Sequence, residues 1–296
     1  LLGVAQPAVS RQVRSLEVEL RQNLLLRNGR GATPTDAGRR LLEHARGILQ
    51  QVERARHAVD EAKGALVGKV VVGLPPTVAR HLTLPVVRGF RQAFPGASLS
   101  IVEGLSSTIQ EWLAVGRVDV GLVYNPTPSP GVDTRVLLEE PLCLIGPRPA
   151  GSPPRTVRLR DLPRFPLIIP SRPHAIRTLV EARLAALGLR PQVAMEIDAV
   201  AAILELVAEG HGFAVLSPRA VHDASTAQRL HARTIVAPQL KSALAIATST
   251  QRPSTPLQKA TIAMLEQHAG PVLLRHGGGR RSCRPTCSSP LSAPSS

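Results

Sequence analysis

Aromatic residues are nearly absent: Phe, Tyr and Trp together make up 2% of the 296 residues. Cysteine occurs only as Cys143, Cys283 and Cys287, too few for a disulfide scaffold and in keeping with a reducing compartment. No run approaches the ~18 consecutive apolar residues of a membrane helix. The chain opens at Leu1 with neither a methionine nor a basic-then-apolar leader, so the expected location is the cytoplasm. The histidines are scattered without paired ligand spacing, and Cys283 and Cys287 have no second pair, so no metal and no other cofactor is expected. Neither a Gly-x-Ser-x-Gly elbow nor a phosphate-binding loop occurs. Glu139 and Glu140 are adjacent in a strand, point to opposite faces and form no acid–base dyad. No catalytic residue is expected, which argues against an enzyme.

Positive charge, by contrast, is plentiful. Lys and Arg number 36 against 21 Asp and Glu, a formal +15. Such an excess points to an anionic partner such as nucleic acid. Part of it is compositional, because arginine outnumbers lysine along the whole chain. The first 35 residues carry five arginines against two glutamates, the densest basic segment outside the carboxyl-terminal tail. At ~100–200 residues per domain the length fits two domains or three. A hydrophobic content of 43% with 19% charged residues supports buried cores rather than global disorder.

Residues 7–21 read as a helix, with Gln6 at the cap and Pro7 in the first position. Val9, Val13, Leu16 and Leu20 form one apolar stripe. The other face carries Pro7, Arg11 and Arg14, flanked by Ser10 and Ser15. Leu1 and Leu2 read as the end of an earlier helix. Residues 24–35 read as a β-hairpin turning at Asn28-Gly29, with Arg27 and Arg30 at its tip. Thr35 then caps a long helix predicted over 36–66, with Asp36 favourable in its first turn. Leu41, Ala45, Ile48, Val52, Ala55, Val59, Ala62 and Leu66 alternate at four and three, a sustained heptad seam. An amphipathic helix packed on a core shows similar spacing, but so long a seam favours a two-helix dimer contact.

Beyond Gly68 the pattern alternates strand and helix. Apolar runs at 70–74, 99–102, 118–123, 142–145, 167–169, 193–197, 213–216 and 243–248 are separated by helical stretches at 77–94 (broken at Pro85), 107–115, 174–187 and 199–208, with a last helix at 255–268. This predicts mostly parallel sheets covered on both faces, in two α/β lobes. Residues 271–296 show no periodicity and are expected to be disordered.

The segment Leu2-Gly-Val-Ala-Gln-Pro-Ala-Val-Ser-Arg-Gln-Val-Arg-Ser-Leu-Glu17 closely resembles the recognition helix of LysR-type transcriptional regulators. Leu25-Leu-Arg27, Thr35-Asp-Ala-Gly38 and the order of elements to about residue 270 are similar too. The resemblance implies a winged helix-turn-helix, a long dimerising linker helix, and a two-lobed effector domain shaped like a type II periplasmic binding protein. The division it implies is 1–35 for a partial DNA-binding domain, 36–68 for the linker and 69–270 for the effector domain. Lobe I would span about 69–145 and 239–270, and lobe II 146–238. The segments Gly73-Leu-Pro-Pro-Thr77 and Val102-Glu-Gly-Leu-Ser106 look similar to members controlling nitrogen or sulfur assimilation. The sequence departs from the family pattern in three places. The family's opening helix and most of its second are absent. Arg21 stands where the family usually has Gly, and Pro34 replaces an apolar strand residue.

In the DNA reading, Arg11 and Arg14 reach guanine edges in the major groove, and Ser10 bonds a base edge or phosphate. Pro7 and Ala8 pack on a thymine methyl, Gln6 offers an amide, and Arg27 and Arg30 reach phosphates or the minor groove. The partners expected are promoter DNA, a small anionic metabolite and a second copy through 36–66, assembled as a dimer of dimers. Effector contacts are expected beyond the strand ends, at Thr77, Ser106, Ser107 and Tyr124 in one lobe and Ser171 and His174 in the other. The simpler reading of these hydroxyls is helix N-capping. Two rival functions share the α/β pattern. A solute-binding receptor is disfavoured by the seam and the absent leader, and a small enzyme by the absent catalytic set. A non-functional regulator fragment is the third possibility.

Overall fold

A computed structural model of the protein describes residues 5–28, 31–61, 66–151, 154–222 and 224–275. Helix α1 spans Gln6–Leu20. Gln6 is its first helical residue rather than its cap; Ala5 takes the cap position without a side-chain bond, and Pro7 sits within the first turn. Proline fits either place, because first-turn N–H groups have no helical partner. No residue of α1 is buried: Val9 and Val13 are half-covered, and Leu16 and Leu20 are exposed. The helix ends at Arg21, whose φ of 50° is left-handed. A side chain there costs about 1–2 kcal/mol that glycine avoids. After allowing for the greater freedom of glycine in the unfolded chain, Arg21→Gly is expected to raise stability by about 0.5–1 kcal/mol. A denaturant melt showing a loss instead would mean that the Arg21 side chain outweighs the strain.

Strands β1 (Leu25–Asn28) and β2 (Gly31–Pro34) pair antiparallel, Leu25 opposite Pro34 and Asn28 opposite Gly31. Asn28 therefore belongs to the ladder and not to the turn; Gly29 and Arg30 lie outside the described residues. The Glu17 carboxylate accepts the Leu24 and Leu25 backbone N–H groups at 2.8 and 3.0 Å, tying α1 to the hairpin. Those two bonds hold its carboxyl below the usual range. Thr35 Oγ1 accepts from the Gly38 N–H at 3.0 Å and donates to the Asn23 carbonyl at 2.7 Å. It thereby starts α2 (Asp36–Glu61), which is shorter than the predicted 36–66. Leu66 stands outside any helix, and Ala62 lies beyond the described residues. Gly38 lets α2 approach the hairpin, for a Cβ there would sit 2.1 Å from the Leu24 carbonyl oxygen.

Next come β3 (Gly68–Leu74), α3 (Pro76–Ala93), β4 (Ala97–Glu103), α4 (Ser106–Val115), β5 (Val120–Tyr124) and β6 (Val132–Pro141). They are followed by β7 (Cys143–Pro147), β8 (Thr156–Arg158), β9 (Leu167–Ile169), α5 (Ala175–Ala185), β10 (Val193–Glu196) and α6 (Val200–Ala208). β11 (Ala214–Leu216), α7 (Pro218–His222), β12 (Leu230–Val236), β13 (Lys241–Ser249) and α8 (Pro256–Arg275) complete the described chain. Helix α3 runs through Pro85 without the expected break. Its buried face of Val78, Ala79, Leu82, Val86 and Phe90 outweighs one lost backbone bond. Residues 271–275 are helical rather than disordered, with Ala269 and Leu273 buried on lobe I.

Lobe I holds a five-stranded sheet in the order β4-β3-β5-β13-β6. β4, β3 and β5 run parallel, and β13 runs antiparallel to both its neighbours. Lobe II holds β11-β7-β12-β8, with β7 antiparallel to β11 and β12, and the parallel pair β9–β10 is joined to it at Leu167–Phe213. Both sheets are mixed, not mostly parallel, because strands that return from the other lobe enter in the opposite sense. β7 belongs to the second sheet, so the chain crosses between lobes at Pro141–Leu142, ahead of the predicted boundary near 145. It returns between Val236 and Lys241. Each lobe has its own aliphatic core, around Val72, Leu82 and Leu122 in lobe I and around Leu144, Leu162 and Val180 in lobe II.

Candidate functional site

Between the lobes lies a cavity of about 1050 Å³. Lobe I contributes Thr77 and Arg80 from α3, Ser106 from α4 and Tyr124 from β5; lobe II contributes Ser171, His174, Ser217, Arg219 and Thr226. Glu140 and Ser242 enter from the two crossing strands. Of the six residues predicted for an effector, Thr77, Ser106, Tyr124, Ser171 and His174 line this cavity. Ser107 does not, because the helical turn of 100° carries it off the face that Ser106 presents. His211 is exposed, is not among the lining residues, and pairs with Glu209 at 3.4 Å.

The local chemistry revises the capping explanation of these hydroxyls. The cap positions of α3 and α4 are Pro75 and Leu105, neither of which offers a side-chain acceptor. Thr77 and Ser106 sit inside the first turns. Ser106 Oγ accepts the Tyr124 backbone N–H at 2.9 Å, fastening α4 to the end of β5. Thr77 bonds the Tyr124 hydroxyl, which also bonds Glu140. Desolvation, with Glu140 second, pushes the Tyr124 phenol up to about 12, so it stays protonated and able to donate. In lobe II, His174 does cap its helix: Nδ1 accepts the Ile176 N–H at 3.3 Å. Burial lowers its pKa against the opposing charge of Asp198, so the ring is neutral at neutral pH. Asp198 in turn accepts the Ser171 N–H at 2.8 Å. Arg172, between Ser171 and His174, is engaged by both oxygens of Glu181 at 3.0 and 3.1 Å.

Sequence reading missed the pair at the back of the cavity. Arg219 Nη2 donates to Glu140 Oε2 at 2.7 Å, with the two side chains 7% and 10% exposed. Burial raises the Glu140 pKa in spite of Arg219 and Tyr124, which both lower it. The one available signal was Glu140 alternating with the exposed Glu139, which pairs with Lys241 at 3.2 Å. The hinge is fastened beside them. Asn125, at a left-handed φ of 45°, donates to Ser242 Oγ at 3.0 Å and accepts the Ala243 N–H at 2.9 Å.

At the amino-terminal end, Arg11 and Arg14 are exposed on one face of α1, with Gln6 and Pro7 also exposed and Ala8 and Ser10 half-covered. Arg27 is exposed on β1. On α2, Ile48 and Val52 of the seam are exposed, as are Leu42 and Leu49 beside it. No helix among the described residues is long and apolar enough to cross a membrane.

The family profile for the LysR substrate binding domain matches residues 63–270, and that for the bacterial regulatory helix-turn-helix protein, lysR family, matches residues 1–39. The nitrogen assimilation regulatory protein nac of Escherichia coli is 34% identical over 266 residues, covering 90% of this chain and 87% of that protein. The HTH-type transcriptional regulator BbuR of Bordetella bronchiseptica is 29% identical, covering 88% of this chain and 80% of its own length. Among solved structures, CbnR, a LysR family transcriptional regulator, aligns with a TM-score of 0.63 at 24% identity over 90% of this chain and 91% of that one. The effector binding domain of QuiR in complex with shikimate aligns with a TM-score of 0.59 at 16% identity, over 68% of this chain and 97% of that domain. A helix-turn-helix match followed by a two-lobed effector domain makes this chain a member of the LysR family of bacterial transcriptional regulators.

Proposed function

We propose that this regulator, acting in the cytoplasm, reads promoter DNA with the Arg11–Arg14 face of α1 and senses a small metabolite held between its lobes. The division that supports this is 1–35 for DNA contact, 36–68 for the linker and 69–270 for sensing. Arg11 is central on the exposed face and reads bases, with Gln6, Pro7, Ala8, Ser10 and Arg14 around it. Arg27, and by sequence Arg30, hold phosphates. The exposed apolar residues of α2 join two copies, and two such dimers associate on DNA. No turnover of the metabolite is needed for this role.

The observation that carries the sensing role is the interlobe cavity itself, bounded by both crossing strands and by the starts of α3 and α4. The start of α4 has no side-chain cap and favours an anion through its free N–H groups, whereas α3 opens on Pro75 and Pro76, which have no N–H, and offers the Thr77 N–H; Thr77 and Ser106 add hydroxyls at the same edge. The ligand favoured is therefore a small carboxylate or other oxyanion bearing hydroxyls. Occupancy draws the lobes together and changes the spacing of the paired recognition helices.

Calorimetric titration of the protein with a panel of carboxylates, shikimate and sulfur and nitrogen oxyanions tests this reading. Each of Thr77→Val and Ser106→Ala is expected to weaken the best ligand by about tenfold, the loss of one hydrogen bond to a charged group. Unchanged affinity in both variants would place the ligand elsewhere.

A further inference from the structure

The lobe II side of the interlobe cavity is walled largely by aliphatic side chains. Ile176 stands in the first turn of α5, Val200 and Ala201 in the first turn of α6, and Ala220 in α7, and all four line the cavity. Ile176, Val200 and Ala220 are the half-buried outer layer of an aliphatic core, and its buried members Leu204 and Leu216 reach the lining too. The core of lobe II therefore opens into the cavity instead of closing under polar side chains. Apolar surface left in contact with water favours a ligand that covers it with apolar surface of its own. At about 1050 Å³ the cavity is also larger than a small ion needs, and stands at the upper end of the ~300–1,000 Å³ that drug-sized molecules occupy.

Charge sets which way such a ligand lies. The helices of lobe I bring Arg80 and His81 to the lining and no acid, beside the N–H groups at the start of α4. On the lobe II side Arg172 is engaged by Glu181 and Arg219 by Glu140, and the acids Asp198 and Glu205 also line the wall. Polar groups there are occupied within the lobe: Asp198 accepts the Ser171 N–H, and His174 Nδ1 accepts the Ile176 N–H. Ser217, Ser225 and Thr226 add uncharged hydroxyls. A carboxylate is repelled by Asp198 and Glu205 and drawn toward lobe I.

We propose that the effector is an amphipathic carboxylate, whose charged end lies toward Arg80 and the start of α4 and whose hydrocarbon body lies on the Ile176–Val200–Ala220 wall of lobe II. This rests on the reading that the cavity holds an oxyanion, and it supplies the class of the rest of the molecule. Any hydroxyls of the ligand stay at the Thr77 and Ser106 edge. An inorganic oxyanion satisfies lobe I and leaves the lobe II wall wet, so it is the poorer ligand. A hydrocarbon body touching both lobes also gives closure its driving force, because drawing the lobes together removes that surface from water.

The test is calorimetric titration of the full chain with butanoate, hexanoate and octanoate, and with 1-octanol as the uncharged probe of equal length. Affinity is expected to rise about threefold to fourfold for each added methylene, with 1-octanol about tenfold weaker than octanoate. Val200→Thr combined with Ala220→Ser roughens the wall with hydroxyls at little change of shape. The doubly substituted protein should lose octanoate affinity several-fold and keep that for butanoate, whereas a folding defect would lower both. Octanoate that does not bind, that binds no more tightly than butanoate, or that is indifferent to the two substitutions would overturn the proposal; butanoate binding that is weakened by Thr77→Val would then leave the oxyanion reading standing. 1-Octanol binding as tightly as octanoate, with the same loss in the doubly substituted protein, would instead fail the oxyanion reading and uphold the hydrocarbon wall.

Discussion

Leucine in place of Glu140 is expected to lower stability by about 3–5 kcal/mol, among the largest losses any single side chain of the hinge would cause. The reason is what remains behind. Arg219 keeps its charge, 7% exposed, and loses its partner at 2.7 Å. Tyr124 loses an acceptor as well. The pair Glu140→Leu with Arg219→Leu removes both charges and is expected to recover most of the loss, because a buried ion pair is worth little over an apolar pair of similar size. Urea melts of the two single variants and the double variant measure this. If the double variant loses as much as the sum of the singles, the two side chains are not energetically coupled and the pair does not organise the back of the cavity.

Alanine in place of Gly47 is expected to disturb the junction of α2 and lobe I. A Cβ at Gly47 would lie 2.0 Å from the carbonyl oxygen of Val115, the last residue of α4. Backbone cannot yield to that contact, so α2 must move away. Around the same contact, Glu43 pairs with Arg117, and Gln50 donates to Asp119 Oδ2 at 3.1 Å. Asp119 Oδ2 also accepts the Val71 N–H at 2.7 Å, so the edge of lobe I is bound to α2 through it. The expected cost is about 1–3 kcal/mol. Trp112 reports the movement, being the single tryptophan of the chain and carrying the Arg117 guanidinium 4.0 Å from its ring centroid. Its emission should shift in Gly47→Ala and not in Gly96→Ala, where a Cβ meets only ordinary contact with a side chain. Unaltered emission and stability in Gly47→Ala would mean that α2 is not held against α4 in solution.

These two sites also show how far residues alone could be read. Helix α1, the hairpin, α2 and the lobes follow from short-range signals: four-and-three apolar spacing, a capping threonine, strand runs rich in valine and leucine. Strand ends opening into helices brought Thr77, Ser106 and Tyr124 to attention, and they share one cavity. What escaped depends on distant partners. β12 reads Leu-His-Ala-Arg-Thr-Ile-Val, polar enough to resemble a loop, and becomes a central strand only through β7 and β8. Arg219 looks like any surface arginine until β6 brings Glu140 to it from 79 positions away. Gly47 looks like a weak point in a helix until α4 is placed against it. The helix persists through Pro85 and to the end of α8 for a related reason, since burial on lobe I outweighs the local preference to break or fray.

Selection of bound duplexes from a random DNA pool decides whether paired copies of α1 read a specific promoter sequence. The account predicts enrichment of a two-fold symmetric site with half-sites about one helical turn, or a multiple of it, apart. Arg11→Ala should relax the preference within each half-site, a loss of about 1–3 kcal/mol on the selected sequence. Ile48→Asp, which puts a charge on the exposed apolar face of α2, should reduce the selected pattern to a single half-site. A pool in which no sequence is enriched, or in which the parent and Arg11→Ala select the same sequences equally well, would contradict the account.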